Sequence, residues 1–402
     1  MDRLYSRSTF HVVAVVLFAL AIAACSRPLM EPRTSVETVL ETAPASGDGQ
    51  PSETVVETEP TTSRITEAAP AIPTASVTPA EEPVVLNPLT GEPVEDAGDL
   101  AVRPLLVSVS NFPVSARPQA GLSLATQVWE TFIGDGMTRF LAVFYGDYAR
   151  NLQAILENPL VEGSQDGFVI GPVRSGRVVF EDIKALFEGA ALITAGASPD
   201  VAEQLTSRVS VYGDDDGNIN STGVEVGDLS RVGEMTVDPS RYATLSFDET
   251  APEGGEPADF FRIVYNYYNQ IGWDYAPELG AYLRSQDTAD GTGELVPAVE
   301  RLTGEQLAFD NVLVLWAQHR YVTPTILEMQ LVYVWDQRGL LFRDGRMYPV
   351  LWSSRSGRFM VYDEDGQVVP LNPGSTFVQV VSWQSTWNPD TMVVRYHNPP
   401  LP

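Results

Sequence analysis

The chain of 402 residues contains one cysteine, one lysine and three histidines, and each scarcity removes a class of function. The cysteine is Cys25, near the N-terminus. The remainder therefore has no disulfide, no thiol nucleophile and no cysteine-rich zinc site. Stability has to come from core burial, for which the chain is long enough. Beyond the N-terminal segment only His319 and His397 remain, far apart and without ligand spacing, so neither a metal nor a cofactor is expected. Ser175 and Ser198 sit in turns, but neither lies in Gly-x-Ser-x-Gly or precedes a lysine by three positions, which argues against a serine nucleophile. Cationic side chains are few as well. The formal charge is −28, a field that repels nucleic acid and anionic headgroups at long range. Lys184 is the sole lysine, so every other fixed cation is an arginine, whose planar fork suits carboxylate and phosphate.

Long apolar runs are also missing, apart from Val12 to Ala24. This run is too short for a bilayer-spanning helix, which needs about 20 residues. It follows Arg3, Arg7 and His11 and ends at Ile22-Ala23-Ala24-Cys25, the pattern of a signal peptide over residues 1–24. Those four residues resemble the lipobox of bacterial lipoproteins. The resemblance implies that Cys25 is diacylated and anchors the chain to the extracytoplasmic face of the cell membrane. Residues 25–86 are rich in Thr, Glu, Pro, Ala and Ser, with no apolar period. They are expected to form a disordered tether.

The folded part is expected to be α+β, with a mixed α/β domain over 87–247, a linker over 248–258 and a mostly antiparallel β domain over 259–398. In the first part, Leu105 to Ser110 reads as a buried strand. Val128 to Ile133 and Thr138 to Tyr145 read as a hairpin around Gly134-Asp135-Gly136. Phe180 to Glu188 has helical spacing and stops at Gly189, and Ser198-Pro199 opens a second helix with serine as N-cap. In the second part, Phe261 to Tyr268 is aromatic and β-branched, which favours strand over helix. Trp273 to Tyr275 and Ala281 to Arg284 should pair across Pro277 to Gly280, and Asp344-Gly345 and Asp365-Gly366 mark further hairpins.

One stretch, from Arg103 to Arg177, sets arginines beside glycines and prolines between the strands of the first part. Arg117, Arg139, Arg174 and Arg177, with Gln119, Glu130 and Ser175, form the candidate ligand site. Gly171 and Gly176 should let backbone N–H groups approach a ligand, and the helix near Phe180 should offer its first donors to an anion. In the competing account the arginines pair with Glu130, Glu181 and Asp182 and brace loops. Asp214, Asp216, Asn218, Asn220 and Glu225 fall at calcium-loop spacing, but Ile219 stands where that loop needs glycine, so a plain turn is expected. Trp316, Trp335, Trp352, Trp383 and Trp387 enrich the second part in aromatics. They are expected mainly in the core; exposed, they would stack on sugars.

From Asn87-Pro88-Leu89-Thr90-Gly91 onward the sequence resembles the YerB-like family of bacterial lipoproteins, which carry N-terminal and C-terminal domains of unknown function. The resemblance rests on Arg103-Pro104, Ala116-Arg117-Pro118-Gln119 with Gly121-Leu122, Thr138-Arg139-Phe140 and Gly171-Pro172-Val173-Arg174-Ser175. Ala195-Gly196-Ala197-Ser198 and Asn372-Pro373-Gly374-Ser375-Thr376 extend it, so that it spans about residues 87 to 385. Where the family usually has Ala-Asp, this chain has Ala125-Thr126, one carboxylate fewer. The resemblance implies a membrane-anchored envelope protein and supplies no catalytic residues. The expected role is non-catalytic binding of a cell-wall glycan, an anionic ligand or an envelope protein. The alternative is an enzyme that acts on a phosphorylated envelope polymer or lipid-linked precursor through the arginine cluster.

Overall fold

The structure, a computed structural model, describes residues 84–158, 168–206, 208–210, 220–232 and 235–401. The signal peptide, Cys25, nearly all of the tether, and Asp214, Asp216 and Asn218 lie outside the described residues. Of the remaining calcium-loop positions, Asn220 donates to Ser115 Oγ at 3.0 Å.

Leu105–Ser110 (β1) is buried along its whole length; its two serines are satisfied there, Ser108 Oγ donating to Ser175 O at 3.3 Å and Ser110 Oγ to Phe112 O at 2.8 Å. Gln127–Gly134 (β2) and Met137–Phe144 (β3) form the expected hairpin. Its turn places Asp135 at φ 52° and Gly136 at φ 76°, the pair of left-handed residues that matches the twist of the flanking strands. β3 pairs antiparallel with β1, which continues in parallel to Ala191–Thr194 (β4) and Arg208–Ser210 (β5). Among the described residues four short α-helices accompany these strands: Tyr148–Glu157 (α1), Val179–Lys184 (α2), Pro199–Ala202 (α3) and Val226–Val232 (α4). Ser198 stands at the N-cap of α3 without a side-chain cap bond; its carbonyl accepts from Ala202 N instead. The helices are few and short, so the fold is mostly β-sheet. No helix among the described residues is long and apolar enough to cross a membrane.

Downstream, Phe260–Asn266 (β6), Asn269–Ala276 (β7) and Ala281–Asp287 (β8) form an antiparallel meander. The aromatic 261–268 segment is thus strand followed by turn. Next come Asn311–Thr323 (β9), Ile326–Gln330 (β10), Gln337–Arg343 (β11), Arg346–Ser353 (β12), Met360–Tyr362 (β13), Thr376–Ser382 (β14) and Val393–Arg395 (β15). Asp344 and Gly345 make the β11–β12 turn with φ 52° and 67°.

The larger sheet has twelve strands among the described residues, with β13-β12-β11-β9-β14-β2-β3-β1-β4-β5 as its main path. β14 lies parallel between β9 and β2, so the 87–247 and 259–398 segments share this sheet. The acidic 248–258 segment is held against it. Arg343 donates to Asp248 O at 3.0 Å, Tyr348 OH donates to Pro252 O at 3.2 Å, and Glu256–Pro257 pairs with β12. The meander, extended by β15, forms a second sheet that packs on the centre of the first. Phe261 stacks on Phe342 at 3.6 Å between centroids, and Trp273 meets Phe377 at 4.9 Å.

His319, on β9, is buried, with Nδ1 2.9 Å from Ala317 O. Burial drives its pKa from 6.5 down to about 4. The unfolded chain takes up this proton near the ordinary value and the folded chain only at the lower one. Stability from this group is therefore complete above pH 6.5 and falls, by on the order of 3 kcal/mol, as the pH approaches 4. His319→Gln should flatten that part of the pH–stability curve in urea titrations; an unchanged slope would remove His319 as its source.

Candidate functional site

Arg139, Arg174, Ser175 and Arg177 line a single open cavity of about 820 Å³. Arg139 stands near the hairpin end of β3, opposite Ser110 of β1. The 170–177 loop reaches it by running along the end of β1. Ser110 N donates to Pro172 O and Arg174 N to Ser108 O, both at 2.8 Å. On its far side Ala195 N donates to Arg174 O at 3.0 Å and Gly176 N to Gly196 O at 2.9 Å. The loop is thereby clamped between β1 and the segment after β4, and it carries Arg174 and Arg177 to the same opening as Arg139.

The glycines act differently from the sequence expectation. Gly171 N donates to Ala120 O at 3.1 Å, and Gly176 N is used as above, so neither N–H is offered to a ligand. A Cβ at Gly176 would come within 2.4 Å of Leu205 Cδ1, so this glycine serves close packing. α2 has only six residues, and its first donors turn back: Phe180 N to Arg177 O and Glu181 N to Val178 O, each at 3.0 Å. The two glycines and the start of α2 therefore offer no donors to the cavity, whose cationic lining is the arginine side chains.

Those side chains are short of counter-charge. Arg139 NH1 donates to Ser175 O at 3.0 Å, while its buried Nε has no partner. Arg177 NH1 donates to Ser175 Oγ at 2.9 Å and to Gly176 O at 3.0 Å. Burial, then the nearby Arg177 and Arg174 charges, hold the Arg139 pKa well below its ordinary value. Arg177 is lowered by burial and by Arg174, and Arg174 by burial. Arginine nevertheless stays protonated in proteins. The bracing account required pairs with Glu130, Glu181 and Asp182. Glu181 instead pairs with Lys184 at 3.2 Å, and Asp182 accepts from Leu331 N at 3.1 Å. Asp135, on the rim, is exposed and joins no ion pair with the arginines among the described residues.

Glu130 and Arg117 belong to a polar layer between the two sheets. Glu130, on β2, is fully buried and pairs with Arg284 of β8 at 3.0 Å. It also accepts from Thr138 Oγ1 at 2.6 Å, Gln379 Nε2 at 2.8 Å and Asn111 Nδ2 at 3.2 Å. Arg117 Nε donates to Asn111 Oδ1 at 3.2 Å and NH1 to Asp287 O at 2.7 Å. Burial, reinforced by Arg284, lowers the Arg117 pKa to about 10. Burial raises the Asp287 carboxyl despite the opposing pull of Arg117 and Arg262. The Arg117 guanidinium lies 4.8 Å from the centre of the Phe112 ring, which lines the cavity, so the layer abuts the site without opening into it. Gln119 is buried and donates to Ser110 O at 3.0 Å. Three of the four arginines therefore converge, together with Ser175.

Sequence-family comparison matches residues 89–243 to "Protein of unknown function (DUF3048) N-terminal domain" and residues 261–378 to the "C-terminal domain" of the same family. The two matches occur in that order and together cover more than half of the chain. The chain belongs to the YerB-like family. "Putative lipoprotein YerB" of Bacillus subtilis (strain 168) is 27% identical over 297 residues, which is 69% of this chain and 81% of that protein. The structure titled "Crystal structure of YerB protein from Bacillus subtilis" aligns with a TM-score of 0.57 at 23% identity, covering 74% of this chain and 96% of that one, and so shares the fold. Two of the blocks that carry the YerB-like resemblance, around Thr138-Arg139-Phe140 and Gly171 to Ser175, supply the cavity's Arg139, Arg174 and Ser175. Local pattern holds no pointer to Phe112, Asn266 and Tyr268 in the cavity wall, or to Arg284 as the partner of Glu130. Asn266 and Tyr268 come from the end of β6 and the β6–β7 turn, 89 residues or more from the arginines in sequence.

Proposed function

We propose that this protein is lipid-anchored at the extracytoplasmic face of the cell membrane and that its folded part binds an anionic envelope component without transforming it. The observation that carries this reading is the convergence of Arg139, Arg174 and Arg177 on one cavity, with no acid paired to them among the described residues. An entering anion would relieve the mutual repulsion of these cations and pair with guanidinium forks suited to phosphate or carboxylate. Phe112, Met137 and Val173 give the same cavity apolar wall, which suits a ligand with more to it than a bare ion. The anchor is supported by the apolar run that ends at Ile22-Ala23-Ala24-Cys25 and by the lipoprotein name of the Bacillus relative. Two acyl chains on one residue would hold the protein stably at a bilayer.

Calorimetric titration of the full chain with inorganic pyrophosphate tests the cavity. Saturable binding is expected, and Arg174→Gln should weaken it by about tenfold or more, since a hydrogen bond to a charged group contributes about 1.5–3 kcal/mol. Without ligand, Tm should hold or rise, because a like charge beside Arg139 and Arg177 is removed. Absence of binding to pyrophosphate, phosphate and citrate alike, or a lower Tm with unchanged binding, would return these arginines to loop bracing.

A further inference from the structure

The aromatic residues of the second segment differ widely in exposure. Trp316 and Trp352 are buried, whereas Tyr333, Trp335 and Trp383 are 66%, 51% and 54% exposed. The exposed three line one groove of about 700 Å³ that shares no residue with the arginine cavity. A soluble fold gains by burying rings of this size, and exposed aromatic clusters mark binding surfaces.

The groove is built rather than incidental. Tyr333 and Asp336 hold φ of 57° and 50°, which an aromatic side chain seldom adopts, and they bracket Trp335. The backbone between them is pinned: Ser353 Oγ donates to Val334 O at 2.9 Å, and Asp336 N donates to Tyr362 OH at 3.2 Å. Opposite, Trp383 N donates to Ala317 O at 2.8 Å, while Arg338 donates to Trp383 O at 3.2 Å. The rings are thus presented from fixed backbone, with little ordering left to be done on binding.

Between the rings lie amides. Gln318 of β9 stands opposite Gln330 of β10, and both line the groove with Gln384. Each amide offers donors and an acceptor together, the combination that a sugar hydroxyl pair matches. His319 forms part of the wall, with a buried Nε2 that has no protein partner. The cation in the lining, Arg320, is cancelled by Glu328 at 2.7 Å, and no carboxylate lines the groove. The surface is therefore close to neutral in a strongly acidic protein. The face of an aromatic ring carries negative charge density and attracts the polarised C–H face of a pyranose. A sugar chain, whose hydroxyls donate and accept along its length, can meet the interleaved amides as well as the rings.

We infer that the groove bounded by Tyr333, Trp335 and Trp383 binds a neutral polysaccharide chain, with pyranose rings stacked on the indoles and hydroxyls bonded to Gln318, Gln330 and Gln384. This site is independent of the arginine cavity. Its test is a titration of the full chain with chitohexaose and with cellohexaose, followed by tryptophan fluorescence and calorimetry. At least one hexamer should bind saturably with a change in indole emission. Trp335→Ala and Trp383→Ala should each weaken that binding by about tenfold or more. Each side chain is about half exposed, so the variants should remain folded with at most a modest fall in Tm, and Arg174→Gln should leave hexamer binding unchanged. Binding of neither hexamer, or binding indifferent to both tryptophan substitutions, overturns the assignment. A change of oligomeric state alone in the two variants also overturns it and makes the patch a self-association surface.

Discussion

Arg284→Met is expected to destabilise the fold by about 3–5 kcal/mol, the range for a buried ion pair that loses one partner. Arg284 and Glu130 are almost fully excluded from water, and their pairing at 3.0 Å joins the meander to the centre of the larger sheet. Methionine retains most of the apolar stem but leaves Glu130 as an uncompensated charge between two sheets. The donors that remain on Glu130, from Asn111, Thr138 and Gln379, temper the loss without replacing the charge. The guanidinium also lies 5.2 Å from the Phe140 ring centre and 5.4 Å from that of Phe377, favourable geometry that a thioether reproduces poorly. Urea denaturation should show a lower midpoint with an unchanged m-value. Adding Glu130→Gln to Arg284→Met should recover part of the loss, since the stranded charge is then gone. A double variant no better than the single would mean that packing, and not charge, sets the cost.

Trp273→Ala is the second large effect, expected at about 3–5 kcal/mol for an aromatic truncated in a packed core. Its indole is buried at the same seam, 4.9 Å from Phe377, 6.1 Å from Phe309 and 6.4 Å from Phe261. These rings belong to both sheets, so the void would open along the face that joins them. The Arg284 guanidinium lies 6.0 Å from the indole centre. The two substitutions share neighbours and should not add. A double-mutant cycle should give an interaction of about 0.5–3 kcal/mol, whereas strict additivity would place the two side chains in separate packing units.

The parts of this molecule legible from sequence are those whose cause is local. Asp135-Gly136 and Asp344-Gly345 announce their hairpins because few other residues accept two successive positive φ angles. Leu105 to Ser110 reads as a buried strand because leucine and valine dominate it and only two small serines, with no charge, interrupt them. Arg139, Arg174 and Arg177 could be grouped because turn-forming glycine and proline surround them on one stretch of chain. The partner of Glu130 could not be found in this way. Arg284 is 154 residues distant, and its inward orientation depends on the register of β8 against a sheet that local pattern does not specify. The tryptophans show the same limit. Trp316 and Trp383 are both strand-associated indoles in sequence, yet one is core and the other surface, because β14 ends at Ser382 just before the second.

β14 carries a consequence for the order in which this protein can fold. The strand that completes the edge of β2 arrives only with residues 376–379, and Gln379 bonds to a carboxylate 249 positions earlier in the chain. Until that strand is in place, β2 presents unpaired backbone at the middle of what becomes the larger sheet, and an open strand edge invites association with other chains. Contacts of such sequence separation also slow folding. The edge of β2 therefore stays open until nearly the last strand has been made. A formal charge of −28 sets a mutual repulsion between copies of the chain against that association.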